Sequence, residues 1–338
     1  MPRVSELAKS VSWGVLGTGR IADQFISASS TFKTGSVVAV GSRNSERAEE
    51  LAARVEGALG GSYEDVINND EVDAVYVATP HPAHLGLIIK AAAAGKHILC
   101  EKPLTMNAAE ARQAVAAVRS ARVLLVEAFM YRFQPQTEAL RRVLTDGSIG
   151  TPLHIQSSYA FVAGFDPSDR VFDLALGGGA ILDVGCYPVS MVRMIAGLLS
   201  GNPAIEPRRL SGGGHRGTTG VEEWAVASME FDDGLTALVR CGVRLQDDGE
   251  LRVYGDEGYV IVPSPWAPGR NTPNGKLLVY RNGNDAPEEL LVPAESLFGQ
   301  EVDAASGAFD SGEAANMTLD DSIANMATLD AWSACVRT

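Results

Sequence analysis

Apolar residues in this chain follow two successive rhythms. From residue 13 to about 129, short apolar runs at 13–16, 36–40, 72–78, 97–100 and 123–126 alternate with helix-periodic stretches. The first such stretch opens at Ile21 and Phe25, and others cover 45–55, 83–94 and 108–120. Asn44 or Ser45 is placed to cap the second helix, and Gly95 stands just past the end of the third. Gly60 and Gly61 read as a break. Strands alternating with helices of about 10–15 residues indicate a parallel, doubly wound sheet.

The second rhythm is strand after strand. Residues 139–144 read as a helix and 153–161 as a strand. Beyond Val221, runs at 223–231, 235–243, 250–254, 259–262 and 276–280 are separated by short Gly/Asp turns, the first pair joined at Asp232-Asp233-Gly234. Consecutive strands imply an antiparallel sheet. Gly177-Gly178-Gly179 leads into an apolar stretch ending at Leu199, and 318–336 has helical periodicity at Leu319, Ile323, Met326 and Leu329. Residues 203–220 and 263–274 read as loops.

The first strand meets Gly17, Gly19 and the small Ala22 before a helix, and a second strand follows. In a dinucleotide-binding unit, the first glycine permits the turn and the second admits a pyrophosphate. The small third residue packs helix on strand. The expected fold is therefore an α/β N-terminal Rossmann domain, a doubly wound parallel sheet, over 1–129. An α+β C-terminal domain with an open, mainly antiparallel sheet covers 130–338, its last helix placed to pack back on the first domain. An acid usually ends the second strand, where it binds the ribose 2′-OH. Here the segment reads Gly41-Ser42-Arg43-Asn44, with Arg47 one helical turn on. Guanidinium groups suit a 2′-phosphate, so NADP is favoured over NAD.

Composition narrows this further. A chain of 338 residues exceeds one ordinary core, and 46% hydrophobic with 21% charged residues is a globular balance. The net charge of −14 argues against general affinity for nucleic acid or anionic membranes. Cys100, Cys186, Cys241 and Cys335 are far apart and suggest neither a zinc site nor disulfides; no metal is expected. The N-terminus carries Arg3, Glu6 and Lys9 without an apolar leader core, and no run approaches the roughly 20 apolar residues of a span. A cytoplasmic location is expected.

Lys102 follows the strand at 97–100, at the carboxyl end where ligands bind in such sheets. Asp183 and Tyr187, four apart, would share a helix face, with Pro188 kinking that helix or opening a second one. A lysine ammonium beside Tyr187 would lower the phenol's pKa from about 10 and make a usable acid/base. The alternative is a packed tyrosine and a helix-start aspartate. His81 is placed for the nicotinamide end, whereas His84 reads as helix-start packing. Phe129, Tyr131 and Phe133 suit an interdomain seam.

Taken together, the segments 17–22, 79–84, 95–103, 127–133, 177–188 and 320–326 resemble the glucose-fructose oxidoreductase, inositol dehydrogenase and rhizopine-catabolism (Gfo/Idh/MocA) family. The nearest branch is that of dihydrodiol dehydrogenase, D-xylose dehydrogenase and sugar 3-ketoreductase. The resemblance implies hydride transfer between a nicotinamide and a secondary hydroxyl or ketone of a sugar, sugar derivative or trans-dihydrodiol. It implies Lys102, Tyr187 and Asp183 as catalytic residues. It implies Gly17, Thr18, Gly19, Arg20, Ile21, Ser42, Arg43, Arg47, Thr79, Pro80, His81, Glu101 and Lys102 around the cofactor. It also implies Lys102, Arg132, Phe161, Asp183 and Tyr187 around the substrate, and a homodimer or homotetramer formed through the C-terminal sheet. Many members carry histidine where Tyr187 stands; the branch named carries tyrosine. A dinucleotide-binding sensor and an NAD-dependent glycosidase are the alternatives.

Overall fold

The first rhythm builds a single sheet. In the computed structural model, which describes residues 10–270, 273–309 and 311–336, strand β1 (Val11–Leu16) leads to helix α1 (Arg20–Ala28) and β2 (Gly35–Gly41) to α2 (Ser45–Ala52). Then come β3 (Leu59–Gly61), α3 (Tyr63–Ile67), β4 (Ala74–Val77), α4 (His84–Ala93), β5 (His97–Glu101), α5 (Ala108–Ala121) and β6 (Leu125–Ala128). The strand order is β3-β2-β1-β4-β5-β6, with all neighbours parallel. The order reverses beside β1, so a crevice opens at the carboxyl ends of β1 and β4. Trp13, Val15, Leu16, Val75, Tyr76 and Val77 are completely buried beneath it.

Gly60 and Gly61 form part of edge strand β3 rather than a break. A side chain at Gly60 would strike the backbone of Glu49, so glycine lets this strand pass close under α2. The N-terminal Arg3, Glu6 and Lys9 lie outside the described residues, as do Arg337 and Thr338.

The second rhythm builds an eight-stranded sheet behind α6 (Pro135–Thr145). Its parts are β7 (Pro152–Ala160), α7 (Cys186–Ser200), β8 (Arg209–Arg216), β9 (Glu222–Glu230), β10 (Thr236–Gly242), β11 (Leu251–Gly255), β12 (Gly258–Val262), β13 (Asn274–Arg281) and β14 (Glu288–Pro293). Two helices follow, α8 (Leu297–Gly307) and α9 (Leu319–Cys335). The order is β14-β13-β12-β11-β7-β10-β9-β8, and only β10 with β7 is parallel. The expected loop at 203–220 therefore contains a strand, β8, whose glycines conceal it in the sequence. β14 and α8 escape the sequence pattern too.

Helix α9 packs back on the first sheet's helices: Ala108 N donates to Asp330 at 2.9 Å, and Arg119 pairs with Asp320 at 2.9 Å. Contrary to the sequence expectation, Leu174–Ser200 is long and apolar enough to cross a membrane, with mean hydropathy 1.4. Its window is 89% buried inside the fold, where α7 serves as the core helix of the second unit. Cys100, Cys186 and Cys241 are free and buried; Cys335 is free and half-buried.

Candidate active site

At the crevice, Gly17 adopts φ +131°, and a side chain there would press on the Ala78 carbonyl. Only glycine keeps the β1 turn against β4. Gly19 caps α1 without a side-chain hydrogen bond, and a Cβ at Gly19 would have open space within 4 Å. Unfilled room over a helix N-terminus with unclaimed amides fits a pyrophosphate. Arg20 and Ile21 form the first turn of α1, Arg20 exposed and Ile21 half-buried.

Thr18 Oγ1 lies 3.4 Å from Ser42 Oγ across the mouth of the crevice. Asn44 is the cap of α2, accepting from Arg47 N at 3.1 Å. Arg43 and Arg47 are exposed and make no ion pair among the described residues. Burial raises the Tyr63 phenol above its ordinary value, and neighbouring Arg43 works in the opposite direction. These features fit an adenosine 2′-phosphate end.

The loop after β4 is held by His84. Its Nε2 lies 2.9 Å from the Thr79 carbonyl, and its Nδ1 lies 3.1 and 3.2 Å from the Pro103 and Leu104 carbonyls. His84 thus ties the Thr79-Pro80 loop to the loop beyond β5. His81 is buried, with Nδ1 3.3 Å from the Gly177 carbonyl, and burial lowers its pKa to about 3. It is a neutral wall.

Lys102 follows β5 immediately, and its bond to Pro103 is cis. Its Nζ donates to the Asp183 carbonyl at 2.6 Å and lies 4.9 Å from the centroid of the Tyr187 ring. Asp183 sits in a π turn, Ile181–Gly185, that runs directly into α7, with Pro188 in the first turn. Proline contributes no N–H, so a carbonyl of the preceding turn lacks its helical donor. Asp183 Oδ1 accepts from Arg170 at 3.0 Å.

Burial opposes the Lys102 charge, but Cys186, Asp183 and Glu101 outweigh it and hold its pKa above the ordinary lysine value. Burial pushes the Cys186 thiol up to about 12, so at neutral pH that neighbour is uncharged. Burial raises Glu101 as well; its oxygens accept from the Tyr76 hydroxyl and from Lys102 N at 3.2 Å. Asp183 is therefore the main counter-charge. Burial works against its ionisation, yet Lys102 and Arg170 bring it below the usual carboxylate range.

Tyr187 departs from expectation. Burial, then Tyr159 and Glu101, raises its pKa well above the ordinary phenol value. The ammonium lies over the ring and makes a cation–π contact, and it does not overcome the effect of burial. Phe129, Tyr159 and Trp266 surround the ring at centroid distances of 5.5, 5.1 and 5.6 Å. Tyr131 completes the seam at 6.2 Å.

Arg132 is a correction, for it offers nothing to a substrate. Its Nη1 pairs with Asp321 at 2.5 Å and donates to the Asn316 carbonyl, and its other nitrogens donate to Ser190. Asp321 also accepts from Arg193, and all three side chains are buried. Phe161 is half-buried just past β7, with its backbone tied to Gly242 and Leu245. It makes no ring contact with Tyr187 among the described residues; Tyr159 and Trp266 take that place. Arg170, Tyr159 and Trp266 are the site residues absent from the sequence reading. Only the position of 161–175 beside the Gly-rich entry hints at Arg170.

A crevice shaped for a pyrophosphate, facing a half-buried lysine and a buried tyrosine, defines a nicotinamide-dependent oxidoreductase class. The family model described as "Oxidoreductase family, NAD-binding Rossmann fold" matches residues 11–129, and "GFO/IDH/MocA C-terminal domain" matches 137–261. This chain belongs to the Gfo/Idh/MocA oxidoreductase family. Trans-1,2-dihydrobenzene-1,2-diol dehydrogenase of Mus musculus is 34% identical over 270 residues, 79% of either chain. The human enzyme of that name is 33% identical over 263 residues, 77% of this chain and 76% of its own. A 3-ketoreductase from Actinomadura kijaniata, solved in complex with NADP and TDP-benzene, superposes with a TM-score of 0.85 at 28% identity. That match covers 97% of this chain and 98% of the other.

Proposed function

We propose that this protein is an NADP(H)-dependent oxidoreductase acting on a secondary hydroxyl or ketone of a sugar, a sugar derivative or a trans-dihydrodiol. The observation that carries the reading is Lys102 Nζ, held at the carboxyl end of β5 and packed against Tyr187. Bound in the crevice, a nicotinamide supplies or accepts the hydride. Gly17, Thr18 and Gly19 seat the pyrophosphate, Ser42, Arg43 and Arg47 take the 2′-phosphate, and Thr79, Pro80 and His81 line the way inward. In the reducing direction, Tyr187 gives its proton to the oxygen that gains negative charge. The Lys102 ammonium donates to that oxygen and stabilises it. Arg170 keeps the Asp183 carboxylate beside Lys102. The buried reduced thiols suit the cytoplasm.

The chain is also read as a homo-oligomer through the outer face of its second sheet, where Trp224, Val226 and Leu238 are 38%, 49% and 47% exposed.

NADPH and NADH titrations followed by nicotinamide fluorescence test the cofactor assignment. Wild type is expected to prefer NADPH, and Arg43→Asp to weaken NADPH binding by about 10- to 100-fold, the worth of one charge-assisted contact. Equal binding of both cofactors to wild type and variant rejects it. Turnover is then assayed with trans-1,2-dihydrobenzene-1,2-diol and with D-xylose.

A further inference from the structure

Glu127 stands near the end of β6, opposite Cys100 of β5, and is 1% exposed. Its Oε1 accepts from the Leu104 amide at 2.8 Å, two residues beyond Lys102. Its Oε2 is buried without a hydrogen-bond partner. The titratable and charged groups facing it come from four further segments. They are Cys100 of β5, Cys186 of α7, Arg132 of the turn after β6, and Asp321, beside the Ser322 hydroxyl, of α9.

We propose that Glu127 is a positioning residue of the active site. Its carboxyl fixes the backbone behind Lys102 through the Leu104 amide and lies within the field of the Arg132–Asp321 pair that anchors α7. Lys102 and the Tyr187-bearing helix are thereby referred to one point. The inference rests on reading Lys102 and Tyr187 as the reacting pair.

The charge inventory supports it. Arg132, Arg193 and Asp321 together leave one buried positive charge, which an ionised Glu127 cancels. Burial pushes the Glu127 carboxyl up to about 7, with Ser322, the Leu104 amide and Arg132 working downward and Asp321 upward. As pH rises through neutrality the carboxyl ionises, and a carboxylate accepts an amide hydrogen bond more strongly than a carboxylic acid does. The Leu104 bond works downward on the carboxyl's pKa, so a local opening that breaks it while Glu127 stays buried leaves a carboxyl that holds its proton more tightly. Against that opening the loop is held more firmly on the alkaline side.

Two variants separate the roles. Glu127→Gln keeps an acceptor for Leu104 N but cannot ionise; Glu127→Leu removes both. Leu104 amide exchange, measured by NMR on the full chain with NADPH, is read alongside kcat for the diol and D-xylose. Wild-type Leu104 protection, corrected for intrinsic exchange, is expected to grow several-fold between about pH 6 and about pH 8. It stays flat in Glu127→Gln and falls in Glu127→Leu. The ratio of wild-type to Glu127→Gln kcat climbs several-fold over the same range, and Glu127→Leu loses at least about tenfold in kcat at unchanged NADPH affinity. A folded Glu127→Leu with wild-type kcat, or a Glu127→Gln protein that follows wild type across the range, overturns the proposal. If Glu127→Leu does not fold, the glutamine comparison decides. If wild type turns over neither probe, the chemical reading fails while amide exchange still decides the tether, a flat wild-type profile overturning it.

Discussion

Lys102 meets Tyr187 at its ring face, 4.9 Å from the centroid, and this decides what each group does. In the proposed reduction, Tyr187 serves as the acid toward a developing alkoxide and the Lys102 ammonium stabilises that charge. Tyr187→Phe keeps the ring contacts and loses the proton. It is expected to lower kcat by about 10²–10⁴-fold with NADPH affinity nearly unchanged. Stopped-flow turnover beside a fluorescence titration checks both halves, and unaltered turnover removes Tyr187 from the chemistry. At this scale, the meeting of Lys102, Asp183 and Tyr187 was legible because each stands in a recognisable motif. The direction of the Tyr187 shift was not, since it is set by burial among groups drawn from distant segments, Tyr159 and Glu101 with them. Arg132 misled for a related reason: a sequence shows an arginine beside an aromatic run but not the carboxylate 189 residues away that occupies it.

Among the elements, α9 closes the structure, because Asp321 in its first turn holds Arg132 and Arg193 with side-chain exposures of 2%, 3% and 0% for Arg132, Asp321 and Arg193. Asp321→Asn leaves two buried guanidinium groups without their counter-charge, expected to cost about 3–5 kcal/mol. The neighbouring Asp320, paired at the surface with Arg119, supplies the control: Asp320→Asn is expected to cost less than about 1 kcal/mol. Urea unfolding of the two variants gives the comparison, and equal losses would contradict the anchoring role. Five of the six parallel strands could be read from alternation alone, since each is an apolar run flanked by clear helix formers; β3, a Leu-Gly-Gly edge, and the short α3 could not. β8 could not, because its three central glycines carry no β signal and β9 supplies the pairing. β14 is a half-polar edge, and the π turn at 181–185 arises from Gly-rich entry and Pro188 together rather than from any periodicity.

For the whole molecule, the two sheets are unequal in how they meet water. The parallel sheet lies between helices, whereas the second sheet exposes Trp224, Val226 and Leu238 on β9 and β10. Paired aspartates, Val226→Asp with Leu238→Asp, are expected to lower the sedimenting mass to that of one chain while leaving NADPH binding in place. A wild-type protein that already sediments as one chain refutes the assembly.

Trp266 packs within the second half of the chain, against the Tyr187 ring. It donates Nε1–H to the Ser158 carbonyl at 2.9 Å, stacks on Tyr159 at 5.7 Å and stands 5.6 Å from the Tyr187 ring. An indole fixed there is a donor fluorophore whose emission overlaps the absorbance of a reduced nicotinamide. With the proposed cofactor bound, energy transfer from this indole is expected to make filling of the crevice by the reduced form visible in the protein's own emission.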